Sequence, residues 1–144
     1  MHPTTRHPSI VSSSTAIPPL ATTQKVAYDH FAKVLPDDKT RRKAKLIFEH
    51  AGVDKRHFTR PREDYLSARS FAERNRRFQE DALALAITAA RGALERSGID
   101  RSRVRHLLLS TTTGLATPSL DAPLALALEL PMSVQRLPLF GLGC

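Results

Sequence analysis

The sequence predicts a layered α/β fold, on three observations. Between Ala82 and Ala90 a helical segment carries only Thr88 as a polar residue, so it is expected to be buried on most sides. Val104–Thr111, with Leu107, Leu108 and Leu109 at its centre, has the length and composition of a central strand. A second apolar run, Val134–Phe140, follows one more helical segment, and strands alternating with buried helices build layers around a shared core.

Taken in chain order, residues 1–8 read as a flexible tail. Ser9–Thr15 mixes β-branched residues with serines and runs to Pro18-Pro19, which predicts a strand entering a turn. A helix capped by Thr22 or Thr23 follows, with Val26, Phe31, Val34 and Leu35 on its apolar side and Pro36 as its stop. Asp37 and Asp38 then favour the start of a second helix through Ala51, with Leu46, Ile47 and Phe48 as its expected buried residues and Gly52 at its end. The longest helix opens on a possible capping box of Ser70 and Glu73, carries Phe78, Leu83, Leu85, Ile87 and Leu94, and closes at Gly98. After the strand at 104–111 comes a Thr-rich loop. Ser119 can cap a further helix to Leu130, in which Pro123 is tolerated because it falls in the first turn. Val134–Phe140 is the last strand, and Cys144 follows it.

Composition narrows the function classes. The chain has 144 residues, 41% of them hydrophobic, which is enough for one domain, expected over 9–144. Its formal charge of +8 is concentrated: residues 39–62 hold nine basic side chains against two acidic ones, Glu49 and Asp54. Such a field attracts phosphate groups, on nucleic acid, anionic lipid or coenzyme A. A nucleic-acid-binding module is the alternative from a different class. The chain has no Trp, two Tyr and no recognisable reader motif, so no nucleic-acid partner is expected. One cysteine cannot form an internal disulfide, and no run approaches the roughly 18 apolar residues of a membrane span. The first residues lack the long apolar core of a signal peptide, and a cytoplasmic location is expected. The six histidines, His2, His7, His30, His50, His57 and His106, show no ligand spacing, so no metal site is expected and none is assigned a catalytic role.

Two segments carry a resemblance. Leu137-Pro138-Leu139-Phe140-Gly141-Leu142-Gly143-Cys144 resembles the nucleophile turn of the thiolase-like condensing enzymes. Ser110-Thr111-Thr112-Thr113-Gly114-Leu115-Ala116-Thr117-Pro118-Ser119-Leu120-Asp121 resembles the C/S-T-T-S/T-G-x-x-x-P-x-x-D stretch of the chalcone and stilbene synthases, the type III polyketide synthases. From Thr112 to Cys144 the sequence lies on that pattern without a gap, and Ser9–Pro19 is similar to the family's opening strand and turn. The wording from Arg136 to Cys144 points to the bacterial branch, which includes the alkylresorcinol and alkylpyrone synthases.

The resemblance implies the N-terminal part of a thiolase-like layered αβαβα fold, covering the first third to half of a family member. It implies an acyltransferase that takes a starter acyl group from an acyl-CoA thioester onto Cys144 and extends it with malonyl-CoA, with no further cofactor. The ketoacyl-ACP synthase III group shares that fold and is the nearer alternative. A lone cysteine is more often a small buried hydrophobe, but the surrounding motif favours a nucleophile, whose thiolate must form from a thiol of ordinary pKa near 8.5. The family's His and Asn partners lie in its second half, so the chain by itself is expected to be inactive. By the same resemblance Thr112 and Thr113 line the active-site cavity, against the alternative of an ordinary Thr-rich loop. Thr117, where plant enzymes often have Met, reaches across a homodimer interface to the partner's cavity. Lys43 corresponds to a lysine that holds the phosphates of coenzyme A. The other two basic positions of that cluster fall on Leu46 and His50, with Arg42 or Lys45 as substitutes one residue out of register, and the alternative is a solvated basic helix face. The 82–90 helix and the last strand are expected to be covered by elements that come later in the fold.

Overall fold

The computed structural model describes residues 7–141, which divide into two compact units. The first, Ile17–Arg74, contains strand β1 (Leu20–Thr23), helix α1 (Gln24–Phe31), helix α2 (Asp38–His50) and strand β2 (Lys55–Phe58). The second joins the N-terminal segment to everything from Asn75 onward. It holds most of helix α3 (Phe71–Ser97), then strand β3 (His106–Thr111), helix α4 (Asp121–Ala127) and strand β4 (Gln135–Phe140).

In the first unit, β1 and β2 form an antiparallel pair, Leu20 opposite Phe58 and Thr23 opposite Lys55, that composition did not announce. Thr23 caps α1 as expected, its Oγ1 accepting from the Val26 N–H. Asp37 caps α2: its carboxylate accepts the Thr40 N–H at 2.7 Å and the Thr40 hydroxyl at 3.0 Å. At the other end Gly52, at φ 63°, supplies the left-handed residue that closes the helix. Inside, Phe48 meets Tyr28 edge-on and stacks on Phe31, with ring centroids 5.6 and 5.9 Å apart, and the Arg56 guanidinium lies over its ring. Arg41 ties α2 to the end of α1, donating to the carbonyls of Ala32 and Leu35.

Here one expectation fails. Of Leu46, Ile47 and Phe48 only Phe48 turns inward, while Leu46 and Ile47 are 57% and 69% exposed. On a helix these positions advance by about 100° each, so the face that holds Arg41, Ala44 and Phe48 cannot also hold Leu46 and Ile47.

In the second unit β3 and β4 pair in parallel, His106 opposite Gln135 and Thr111 opposite Phe140. The parallel arrangement requires a crossover, and α4 provides it, packing on both strands. Among the described residues the buried apolar side chains of this unit all come from this stretch: Leu120, Leu124, Ala125 and Leu128. The helix is shorter than its predicted span of 119–130. Ser119 does not cap it, because its hydroxyl bonds the Asp121 carboxylate, and the chain leaves the helix after Leu128 with Glu129 at φ 54°.

Ser9–Thr15 is not a strand. Among the described residues it has no ladder partner, and side chains fix it to α3: Ser12 Oγ donates to the Ala93 carbonyl at 2.7 Å, and Arg96 donates to the Ser13 carbonyl at 2.8 Å. Gly92 permits the approach, since a Cβ there would meet the Ser14 hydroxyl at 2.6 Å. Helix α3 itself is half-buried, with no side chain of 82–90 fully enclosed among the described residues, so the expected all-round burial is not met within this chain. At its start Ser70 caps the Glu73 N–H, but Glu73 turns to Arg69 at 2.8 Å rather than reaching back, which leaves half of the expected box.

Every residue of β4 is exposed, including Leu137, Leu139 and Phe140, and among the described residues its outer edge has no strand beside it. The Gln135 N–H donates to the carbonyl of Arg105, just before β3, and the Gly141 N–H to that of Thr111 at its end, so odd-numbered N–H groups of β4 face inward and even-numbered ones face out. Pro138 therefore has its missing donor on the free edge, where a proline is compatible with a strand.

The Asp37 cap gives a pH signature. The Thr40 backbone N–H and then its hydroxyl hold this carboxyl below its ordinary 3.8. A group whose folded value is depressed contributes stability that is complete above its unfolded value and is lost as pH falls through the folded one. Asp37→Asn keeps an acceptor oxygen but does not titrate. Urea unfolding of the two proteins is expected to differ in favour of Asp37 at about pH 5 and to converge as pH approaches about 2.

Candidate functional site

The parallel register decides what lies together. Because β3 and β4 run the same way, the loop that leaves β3 and the segment that leaves β4 emerge at one end of the pair, and the Gly141 N–H donates to the Thr111 carbonyl at 3.3 Å. Thr112 and Thr113 sit at that end, both exposed, and the Thr113 N–H donates to Thr111 Oγ1 at 3.3 Å. Clefts beyond the carboxyl ends of parallel strands are where α/β sheets bind ligands.

Thr117 is exposed in the same loop, joined to Pro118 by a cis peptide bond. Cys144 lies outside the described residues, three positions past the last of them. Lys43 is exposed on α2, in the other unit, and has no carboxylate partner among the described residues. The alternatives Arg42 and Lys45 are also exposed, Lys45 within 3.7 Å of Glu49.

The loop is held from below by side chains that sequence reading did not single out. Asn75 brackets Leu115: its Oδ1 accepts the Leu115 N–H and its Nδ2 donates to the Leu115 carbonyl, both at 2.8 Å. Gln79, one turn on, donates to the same carbonyl at 2.6 Å. Gly114 is buried against the Phe78 ring, and a Cβ on it would lie 2.1 Å from a ring carbon. Phe78 is thus a support for the loop as well as an apolar residue of α3. The one signal in the sequence was Asn75 itself, a poor helix former set within an Arg-rich turn.

Behind the loop stands Asp121, 1% exposed. It accepts from the Ser119 hydroxyl and, at 2.8 Å, from Arg136 Nη1. The pair fastens the first turn of α4 to the start of β4, and so sets the strand that leads toward Cys144. Among the described residues no three His, Cys, Asp or Glu side chains gather as a metal site, and no helix is long and apolar enough to cross a membrane.

Residues 5–144 match the N-terminal domain of the chalcone and stilbene synthases. A 1,3,6,8-tetrahydroxynaphthalene synthase of Streptomyces peucetius subsp. caesius is 34% identical across 96% of the chain, which spans 37% of that protein. A phloroglucinol synthase of Pseudomonas fluorescens is 31% identical across 85% of the chain and is spanned to 35%. Among solved structures, the fungal type III polyketide synthase ORAS superposes with a TM-score of 0.83 at 25% identity, over 94% of this chain and 37% of its own. A brown-algal enzyme, PKS-I of Ectocarpus siliculosus, gives 0.83 at 22% identity, over 97% of this chain and 41% of its own. The fold is that of the N-terminal part of these thiolase-like enzymes, and the chain spans a little over a third of their length.

Two substitutions test the support of the loop. Gly114→Ala places a methyl inside the Phe78 contact and is expected to cost about 1–3 kcal/mol by overpacking, with Phe78→Leu on that background restoring part of the loss. Arg136→Ala strips the partner from a buried carboxylate and is expected to cost about 3 kcal/mol, the low end for such a change because the arginine is itself partly hydrated. Adding Asp121→Asn, which removes the charge and keeps an acceptor, should recover part of it. Urea denaturation of each variant gives the comparison.

Proposed function

The chain belongs to the chalcone and stilbene synthase family as its N-terminal domain, and from that premise we propose that it is the nucleophile-bearing part of a type III polyketide synthase. In this reading the Cys144 thiolate attacks the carbonyl of a starter acyl-CoA, and coenzyme A leaves as its thiolate. Malonyl-CoA then loses carbon dioxide, its enolate attacks the acyl-cysteine thioester, and the cysteine thiolate departs, leaving a chain two carbons longer on coenzyme A. Oxyanion and enolate need hydrogen-bond donors, which the family draws from a His and an Asn beyond Cys144.

The observation that carries the reading is the parallel pairing of β3 with β4, which brings the Thr112–Thr113 end of one strand beside the segment that runs on to Cys144. Hydroxyls there can orient an acyl carbonyl. Thr117 would close the cavity of a second subunit in a homodimer. Lys43 would hold the phosphates of coenzyme A, and its exposed ammonium has no carboxylate partner among the described residues. Activity at a cytoplasmic location, with acyl-CoA and malonyl-CoA as substrates, completes the proposal. The 144-residue chain alone would not turn over.

The test uses the full-length enzyme. Cys144→Ala should abolish the acyl adduct seen by intact-protein mass spectrometry after incubation with an acyl-CoA, and Cys144→Ser should nearly do so. Lys43→Glu should raise KM for CoA thioesters by about tenfold, the low end for losing a hydrogen bond to a charged group, while thioesters lacking the nucleotide change little. Adduct formation on Cys144→Ala would overturn the nucleophile. An equal loss with both thioester types would make Lys43 structural.

A further inference from the structure

Among the described residues, no backbone group of 112–118 pairs with another backbone group, because the parallel ladder stops at Thr111 and α4 has not begun. Side chains take its place. The Thr111 hydroxyl accepts the Thr113 N–H, and the Asn75 amide bridges both backbone groups of Leu115 as a partner residue does in an antiparallel ladder. Gln79 adds a second donor to the same carbonyl. Asn75, Phe78 and Gln79 stand at i, i+3 and i+4 of α3, so a single helical face grips the loop at Gly114 and Leu115. Stability alone does not call for the Asn75 bridge. Leu115 is 54% exposed, and the backbone groups of an exposed residue can bond to water at little net loss. The gripped residue lies midway between Thr113 and Thr117, so its placement is passed to both.

We infer, on the reading of Cys144 as a polyketide synthase nucleophile, that Asn75 is a positioning residue for chain extension: through Leu115 it sets where the Thr112–Thr113 wall stands and so how far the acyl chain grows. Attack of the thiolate on a starter thioester depends on the thiolate and on oxyanion donors supplied elsewhere. Loading is therefore insensitive to this wall. Each extension lengthens the chain by two carbons, so later intermediates fill more of the cavity and press on whatever borders it. A border displaced by about 1 Å costs up to about a hundredfold in rate when it orients the reacting carbonyl. The effect falls on the later rounds. Gln79 shares one bond of the bridge and acts in the same direction more weakly.

The full-length enzyme tests it with Asn75→Ala, which removes both bonds to Leu115, Gln79→Leu, which removes one donor, and Ser12→Ala, which removes a side-chain bond elsewhere in the same unit. Acyl loading on Cys144, read by intact-protein mass spectrometry, should be unchanged in all of them. With malonyl-CoA added, Asn75→Ala is expected to lower kcat about tenfold with little change in the starter KM, and to shift the products toward fewer extensions. Gln79→Leu should give the same shift at smaller size, and Ser12→Ala the parental product pattern. Parental products from Asn75→Ala would overturn the inference, as would the same shift in Ser12→Ala, which would make the effect a general loss of stability. Loss of loading in Asn75→Ala would overturn it too. If Asn75→Ala is insoluble, Gln79→Leu decides by the same criteria. A parent enzyme that forms no adduct would sink the polyketide synthase reading itself and the inference with it, a failure seen before any variant is compared.

Discussion

Asp121 is the hinge on which the second unit turns. It is a charged group almost wholly removed from water, tolerable only because Arg136 and the Ser119 hydroxyl saturate it. The apolar residues around it, Leu120, Leu124, Ala125 and Leu128, hold α4 against both strands, but apolar contact alone does not fix register. A directional pair does. With Arg136 at the second position of β4 and Asp121 at the first of α4, a slip of one residue along β4 would move the guanidinium to the other face and strand the carboxylate. The crossover, the parallel pairing and the meeting of the two strand ends therefore depend on one ion pair.

The Thr-rich loop shows a different economy. Its hydroxyls are exposed, so they contribute little to folding, and its conformation is imposed from α3 by Asn75, Gln79 and the flat side of Phe78. Side chains that face outward are free to vary in size when the backbone that carries them is held by others. Gly114 is the point where that division becomes strict, because there the backbone itself touches the ring.

Much of this was legible in the sequence. Helix ends with a chemical marker came out where expected: Thr23 before α1, Asp37 and Gly52 around α2, Gly98 after α3. The strands at 106–111 and 135–140 were visible as apolar runs, and the family resemblance carried by 110–121 and 137–144 agrees with the match over 5–144. What failed had no local mark. β1 and β2 are four-residue strands that exist through each other, and neither Leu20–Thr23 nor Lys55–Phe58 has a pattern of its own. Ser9–Thr15 has strand composition but spends its hydrogen bonds on α3. Hydrophobicity alone points Leu46 and Ile47 inward, while the helical phase set by Arg41, Ala44 and Phe48 turns them out. Asp121 was visible as a motif letter, but its pairing with Arg136 joins positions 15 residues apart through the fold. The Cys144 reading stays with the sequence, beyond the described residues.

Pro138 gives the outer edge of β4 a property of its own. A neighbouring strand laid there would find donors at Arg136 and Phe140 but none midway, so one of its carbonyls would be left without a partner. Such a gap makes the edge selective: a strand that bulges or bends at that rung loses nothing, and a straight apolar strand from an unrelated chain loses a bond. A newly made chain with this strand uncovered is thereby discouraged from growing into an extended sheet with its copies, although Leu137, Leu139 and Phe140 would otherwise invite it.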